Sequence, residues 1–281
     1  MTESIASARG ASPPELEATA KNEPTVTTRT NDAVVAPAPL SPEDVLAIEH
    51  LVTEDDTPVD NLFSERQQRL LTHPLNVSWQ GPGDGRYFLV AADVGVFRTP
   101  HEPPLVPDVF LSLDVKRPTD WWAKEGRSYF MWYYKKPPDV VIEIVSNKEG
   151  EETGEKMERY ASFGVPCYVI FDPQEQVQDG LLRVYELASG AYAPRSADIL
   201  PGVRLGLRLW RGEYEGDEAT WLRWHDASGA LIQTGEETTE RERNRAEQAE
   251  DTAERERNRA ERLAAQLRAL GVTPEDNDHS V

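Results

Sequence analysis

Residues 136–173 read KPPDVVIEIVSNKEGEETGEKMERYASFGVPCYVIFDP, and this stretch predicts a strand, a helix and a second strand in succession. The first strand covers residues 138–146 and the second covers 167–172. Between them, apolar residues recur at helical spacing over 152–163, until a glycine and a proline end the helix. A strand, helix, strand unit of this length favours two neighbouring parallel strands joined by a crossover.

The sequence on either side of this unit predicts more strands and two helices. A serine followed by proline and two acids marks the start of a helix over residues 41–51. A second helix is expected at 61–71. Further strands are predicted at 107–113 and 181–187, with a candidate hairpin formed by 86–91 and 94–97. The fold class is therefore α/β (α+β), with one mixed β-sheet and flanking helices.

The two ends of the chain differ from its middle. Residues 1–40 are rich in Ala, Pro, Thr, Ser and Glu, and they contain too few apolar groups to offset the entropy of ordering. We expect them to be disordered, followed by one folded domain over 41–235. A helix is predicted for 236–272, and a disordered tail for 273–281.

The predicted C-terminal helix contains an internal repeat. The sequence ERERNRAE occurs at residues 240–247 and again at 254–261, two heptads later. Heptad positions a and d then hold alanine or Glu256 in the first part of the helix, and leucine only toward its end, at Leu263, Leu267 and Leu270. This pattern favours a coiled coil and a homo-oligomer, most simply a dimer. The alternative is a solvated single helix held by i,i+4 charge pairs.

Composition excludes several classes of protein. The formal net charge is −20, which argues against a general nucleic-acid coat protein and predicts weak nonspecific affinity for DNA. There is one cysteine, Cys167, so an internal disulfide is excluded and a reducing cytoplasm is the simplest compartment. We expect no signal peptide, because the N-terminus lacks the apolar segment of such a peptide. We also expect no membrane span, because no apolar run approaches the roughly 20 residues that a bilayer requires.

The first candidate for chemistry is a carboxylate inside an apolar strand. Side chains alternate between the two faces of a strand, so Val141, Glu143 and Val145 share one face of the predicted strand 138–146. An acid in such a run is costly unless it binds a metal ion or a partner. The structural alternative is that Glu143 pairs with an interior Arg or Lys.

Two further residues complete a candidate site. Asp108 starts the predicted strand 107–113, and beside Glu143 it would create an oxygen-rich site for Mg²⁺ or Mn²⁺. Taken alone, Asp108 is only an acid that opens a strand after a proline. Lys156 lies at the edge of the buried face of the predicted helix, from which an ammonium could orient water or stabilise an oxyanion. Its alternative is an ordinary helix pair with Glu152.

Residues 126–132 (GRSYFMW) and the stretch 136–173 together resemble the Uma-type restriction endonuclease family, which is similar to the PD-(D/E)xK nuclease superfamily. The likeness covers about residues 41–210. It implies Asp108 as the first acid and Glu143 as the second. The superfamily lysine would follow two residues later, where this chain has Val145, and the resemblance implies that Lys156 replaces it from the helix. Glu152 matches an acidic family position and is an accessory candidate.

A basic and aromatic segment, residues 114–137, separates the two predicted acid-bearing strands. Basic groups interleaved with aromatic rings can grip a phosphate backbone and stack on bases. The alternative is that the rings pack over the sheet or at a dimer contact. The candidate DNA contacts are Lys116, Arg117, Lys124, Arg127, Lys135 and Lys136.

Two functions from different classes remain open at this point. The first is a metal-dependent DNA endonuclease that hydrolyses phosphodiester bonds with Mg²⁺ or Mn²⁺, using the two acids and the helix lysine. The second is a catalytically inactive nuclease-like binding or scaffold module that oligomerises through its C-terminal coiled coil.

Overall fold

A six-stranded mixed sheet forms the centre of the structure, a computed structural model that describes residues 41–43, 61–120, 122–146, 154–177, 180–195 and 198–270. The elements in chain order are α1 (Leu62–Ser78), β1 (Phe88–Ala92), β2 (Val96–Phe97), β3 (Val109–Leu113), a 3₁₀ turn (Lys124–Gly126), β4 (Tyr129–Phe130), α2 (Met131–Tyr134), β5 (Val140–Ile144), α3 (Glu155–Phe163), β6 (Cys167–Phe171), β7 (Leu182–Ala188), β8 (Ala191–Arg195), β9 (Leu205–Tyr214), β10 (Asp217–Asp226) and α4 (Gly235–Ala269).

The spatial order of the main sheet is β1-β3-β5-β6-β7-β8. Strands β5 and β6 run parallel, with Val140 opposite Cys167, which confirms the predicted strand, helix, strand unit. The remaining pairs in this sheet are antiparallel. The fold class predicted from the sequence, a mixed sheet with flanking helices, is therefore confirmed.

Both faces of the sheet are covered by apolar side chains. One face packs against α1 and the β9–β10 hairpin, in a buried cluster that includes Leu71, Ile142, Val169 and Trp224. The other face packs against α3 and β4, with Val141, Tyr160 and Ile170 in its buried cluster. Because β5 is buried on both faces, it reads as a nearly continuous apolar run, and Glu143 interrupts that run.

One predicted strand pairing and one predicted helix end were wrong. The predicted hairpin of 86–91 with 94–97 does not form, because β1 pairs with β3 and β2 pairs in parallel with β4. The chain turns at Asp93, whose φ is 52°, and this turn carries β2 away from the main sheet. Helix α1 passes the predicted end at residue 71 and continues through Pro74 to Ser78, with Leu75 fully buried.

The C-terminal helix is firmly attached at its first turn. Thr234 and Glu237 form a capping box, in which each side chain accepts a hydrogen bond from the backbone N–H of the other. The carboxylate of Glu237 also binds the buried Arg223 guanidinium of β10, at 2.6 and 2.7 Å. Beyond this base the helix has no buried residue. Whether it forms a coiled coil remains a prediction.

Several predicted segments fall outside the described residues. These are the segments expected to be disordered at 1–40 and 273–281, and all but the first three residues of the predicted helix 41–51, of which Pro42 and Glu43 are helical. Among the helices that are described, none is both long enough and apolar enough to cross a membrane.

Candidate active site

The strand register brings the two predicted acids together. In the antiparallel pair of β3 and β5, Val109 lies opposite Ile142, so continuing that register by one residue places Asp108 opposite Glu143. The backbone N–H of Ile144 donates a hydrogen bond to Oδ2 of Asp108. The two carboxylates therefore project from neighbouring strands on the same face of the sheet, the face that α3 covers.

Helix α3 supplies two groups that bind Glu143. The Lys156 ammonium lies 3.1 Å from Oε2 of Glu143, and the Tyr160 hydroxyl donates to Oε1 at 2.8 Å. The side chain of Glu143 is only 1% exposed, whereas that of Lys156 is 33% exposed. One carboxylate oxygen is thus held by an ammonium that reaches solvent, and the other by a buried phenol.

Asp108 lies in an environment that disfavours its charge. Burial raises its pKa well above the usual value, and the nearby charge of Glu143 raises it further. The hydrogen bond from the Ile144 N–H and the positive charge of Lys156 act in the opposite direction. A desolvated carboxyl beside a second carboxylate and a lysine is typical of an active site, although structural ion pairs can produce the same perturbation.

The reasoning from sequence gave no chemical role to Tyr160. Its ring is fully buried, and burial, followed by the charge of Glu143, raises its pKa well above the usual value. The phenol therefore stays protonated and acts as a hydrogen-bond donor. Its spacing of four residues from Lys156 was the available signal, because residues i and i+4 lie on one face of a helix.

Two other neighbours of Asp108 were also missed. The side-chain amide of Gln68, from α1, donates to Oδ1 of Asp93 at 3.0 Å and to Oδ1 of Asp108 at 3.4 Å. Asp93 follows the last residue of β1. Helix α1 and the end of β1 are distant in sequence from the acid-bearing strands, so no local pattern links them to the site.

Among the remaining predicted site residues, Lys136 lies away from these groups. Glu152 lies outside the described residues. Lys136 donates to the backbone oxygen of Leu113 and to Asp139, so it lies at the opposite end of β3 from Asp108. That end is about 17 Å away, given the rise of a five-residue strand.

The other basic side chains are placed as follows. The Lys116 ammonium sits 4.9 Å from the centre of the Tyr87 ring, and Arg117 binds the side-chain oxygen of Asn76. Lys124 and Arg127 belong to the 3₁₀ turn and the residue that follows it, and Lys135 has a φ of 60° at the end of α2. Contact of these six residues with DNA remains a prediction.

The described aromatic residues of the same segment differ in their burial. Tyr129 and Phe130 are buried, and the Tyr129 ring meets Phe110 of β3 edge-on at 5.1 Å. Trp122 differs, being 84% exposed. Among the described rings, Tyr129 and Tyr134 belong to the buried cluster on one face of the sheet, which agrees with the alternative interpretation that rings of this segment pack over the sheet.

The donor set is compatible with a hard divalent cation. Mg²⁺ typically takes one or two protein carboxylates and completes its octahedron with water and phosphate oxygens. The carboxylates of Asp108 and Glu143 provide such a pair of oxygen ligands. Within the described residues there is no group of three or more His, Cys, Asp or Glu side chains arranged to hold a metal ion.

A mixed sheet that carries two acids on neighbouring strands, with a lysine from the following helix, defines a restriction-endonuclease-like protein. Comparison with protein families agrees, since residues 54–208 match the Uma2 family, described as "Putative restriction endonuclease". The chain belongs to this family. The search of curated proteins and the search of solved structures each gave no significant match.

Proposed function

We propose that this protein is a divalent-cation-dependent endonuclease that hydrolyses phosphodiester bonds in DNA. The observation that supports the proposal is the meeting of Asp108, Glu143 and Lys156 from three different elements, on one face of the sheet. Each of these residues has a plausible structural role alone. Their combination, with both carboxylates desolvated and a lysine that reaches solvent, matches what the chemistry of phosphodiester hydrolysis requires.

The division of labour follows from the contacts. Asp108 and Glu143 would hold the cation, Mg²⁺ or Mn²⁺, through carboxylate oxygens. When bound, such a cation would offset negative charge on the scissile phosphate and make water acidic enough to attack at neutral pH. Lys156 would orient the attacking water or neutralise charge that develops on phosphate oxygens. Tyr160 keeps the Glu143 carboxylate in one position throughout.

The net charge of −20 shapes the expected substrate binding. A strongly acidic protein repels the phosphate backbone at long range, and the cation would have to supply much of the local attraction. We therefore expect cleavage to depend steeply on both divalent cation and salt. The basic segment between β3 and β5 would contribute backbone contacts at a distance from the cleavage point.

The test is cleavage of supercoiled plasmid DNA with Mg²⁺ and, separately, with Mn²⁺. Wild type should nick or linearise the plasmid, and Glu143→Gln should abolish cleavage while keeping the shape of the side chain. Asp139→Asn is a matched control, because Asp139 belongs to the opposite end of β5 and pairs with Lys136. A wild type that cuts with neither ion, or a Glu143→Gln variant that cuts equally fast, would refute the proposal.

A second candidate function rests on α4. This helix exposes Leu263, Leu267 and Leu270 at 50%, 39% and 79%, which is the leucine-bearing end of the heptad seam. A nuclease-like domain carrying such a helix would serve as a scaffold or binding module that assembles as a homodimer. The ion pair between Lys156 and Glu143 also fits this candidate, because it neutralises the buried acid without a cation. Light scattering of the full chain against residues 1–244 tests the assembly.

A further inference from the structure

A buried glutamine on α1 contacts the candidate site from the side opposite to α3. Gln68 is only 5% exposed. Its side-chain amide nitrogen lies within hydrogen-bond distance of one oxygen of Asp93 and one oxygen of Asp108. An amide NH₂ has two hydrogens, so a single nitrogen can serve both carboxylates. Gln68 is thereby a bridge between the end of β1 and the start of β3.

The neighbouring residue provides an internal comparison. Gln67 is fully buried on the same helix, and it exchanges two hydrogen bonds with the backbone of Leu222 in β10, at 2.8 and 2.9 Å. Its role is to attach α1 to the β9–β10 hairpin. Buried amides are costly unless they are hydrogen-bonded, and these two glutamines satisfy that requirement in different ways. Gln67 binds backbone groups of β10, whereas Gln68 binds Asp93 and the candidate ligand Asp108.

The contacts fix both oxygens of Asp108. The Ile144 N–H holds Oδ2 and the Gln68 amide holds Oδ1, so the carboxylate plane is set from two sides before any cation arrives. Asp93 in turn fixes the amide, with the shorter of the two Gln68 distances, 3.0 Å against 3.4 Å. Groups that hydrogen-bond to a metal-ligating side chain orient it, and their loss typically costs 10–100-fold in metal affinity or activity.

We propose that Gln68 is a positioning residue that holds Asp108 for cation binding, with Asp93 as its anchor. The inference rests on the proposed function, because it assumes that Asp108 is a cation ligand. It assigns to α1 a second duty beyond covering the sheet, and it makes the end of β1 part of the site. This role requires a hydrogen-bond donor at position 68, so an apolar side chain of the same size could not fulfil it.

The experiment measures Mn²⁺ affinity of the full chain by isothermal titration calorimetry. Gln68→Met keeps the length of the side chain and removes the donor, and it should weaken Mn²⁺ binding by about 10–100-fold. Gln67→Met is the matched control, since it removes an equally buried amide from the same helix. It should lower the thermal unfolding temperature and leave the Mn²⁺ affinity within about threefold of wild type.

The possible outcomes separate this inference from the proposed function. Wild-type binding with an unchanged Gln68→Met variant overturns the positioning role alone, as does an equal loss of affinity in both variants, which would reveal a merely structural effect. A wild type that binds no Mn²⁺ overturns the metal centre itself and the inference with it. If Gln68→Met fails to fold, Gln68→Ala, whose smaller side chain fits the same space, provides the same comparison.

Discussion

Replacing Lys156 by methionine should destabilise the protein as well as impair catalysis. The substitution keeps an unbranched side chain of similar length and removes only the ammonium. Glu143, with 1% of its side chain exposed, would then keep its hydrogen bond from the Tyr160 hydroxyl but lose the ammonium that balances its charge. Helix propensity alone favours a nearly neutral effect on stability, because lysine and methionine form helices about equally well. The buried partner changes that expectation.

The magnitude follows from the unequal exposure of the two partners. Removing one member of a buried ion pair typically costs about 3–5 kcal/mol, because the remaining charge is left uncompensated. Lys156 is 33% exposed, so water can partly replace the ammonium, and a figure at or below the lower limit is appropriate. We expect a loss of about 2–3 kcal/mol in the free energy of unfolding in metal-free buffer at pH 7.

Urea unfolding of four proteins tests this value: wild type, Lys156→Met, Glu143→Gln and the double variant. Once Glu143 is neutral, Lys156→Met should cost less than about 0.5 kcal/mol, so the cycle should give a coupling of about 2 kcal/mol. Lys136→Met is the control, since its partner Asp139 is 22% exposed, and it should cost less, about 1 kcal/mol or below. An equal cost of Lys156→Met in both backgrounds would refute the reasoning.

Two further substitutions and one pair of truncations have defined outcomes. Asp108→Asn should raise the unfolding temperature of the metal-free protein at pH 7. The pKa of Asp108 is raised in the folded state, so its carboxyl destabilises the fold as pH rises above the usual 3.8. The gain should vanish below that pH, and a lower unfolding temperature at both pH values would contradict the prediction. Tyr160→Phe removes a hydrogen bond to a charged group and should cost about 1.5–3 kcal/mol in chemical denaturation, so an unchanged midpoint would count against the bond. Deleting residues 245–281 should change the free energy of unfolding by less than about 0.5 kcal/mol. Deleting 236–281 also removes Glu237, leaves the buried Arg223 without this carboxylate and should cost about 2–3 kcal/mol. Equal stability of both truncations would show that the ion pair between Arg223 and Glu237 is unimportant.

The centre of the fold was predictable because its signals are local. Alternation and apolar runs located β5 and β6, and helical spacing located α3 between them. The hairpin at 86–97 could not be recognised as wrong from the sequence. Its failure depends on the turn at Asp93 and on pairing of β1 with β3, which is about 20 residues away along the chain.

The candidate site was partly predictable for the same reason. Glu143 was visible as an acid inside an apolar strand, and Lys156 as a helix residue on a buried edge. Gln68 could not be predicted as a site residue, because a glutamine in a helix sequence is normally assigned to the exposed face. Its role becomes clear only when its neighbours in space are known. Val145, where the superfamily carries lysine, proves to be 2% exposed, so a lysine restored there would need Glu143 as its partner to be accommodated.

The attachment at the base of α4, through the ion pair of Glu237 with Arg223, makes this helix act as a lever. Thirty-five residues at 1.5 Å each give a rod of about 52 Å, attached through the capping box and the Arg223 ion pair. A rotation of only about 5° at that attachment would displace the far end by about 4.5 Å, close to one helical turn. Anything that grips the leucine-bearing tip would therefore exert torque on β10, and Gln67 connects β10 to the helix that carries Gln68.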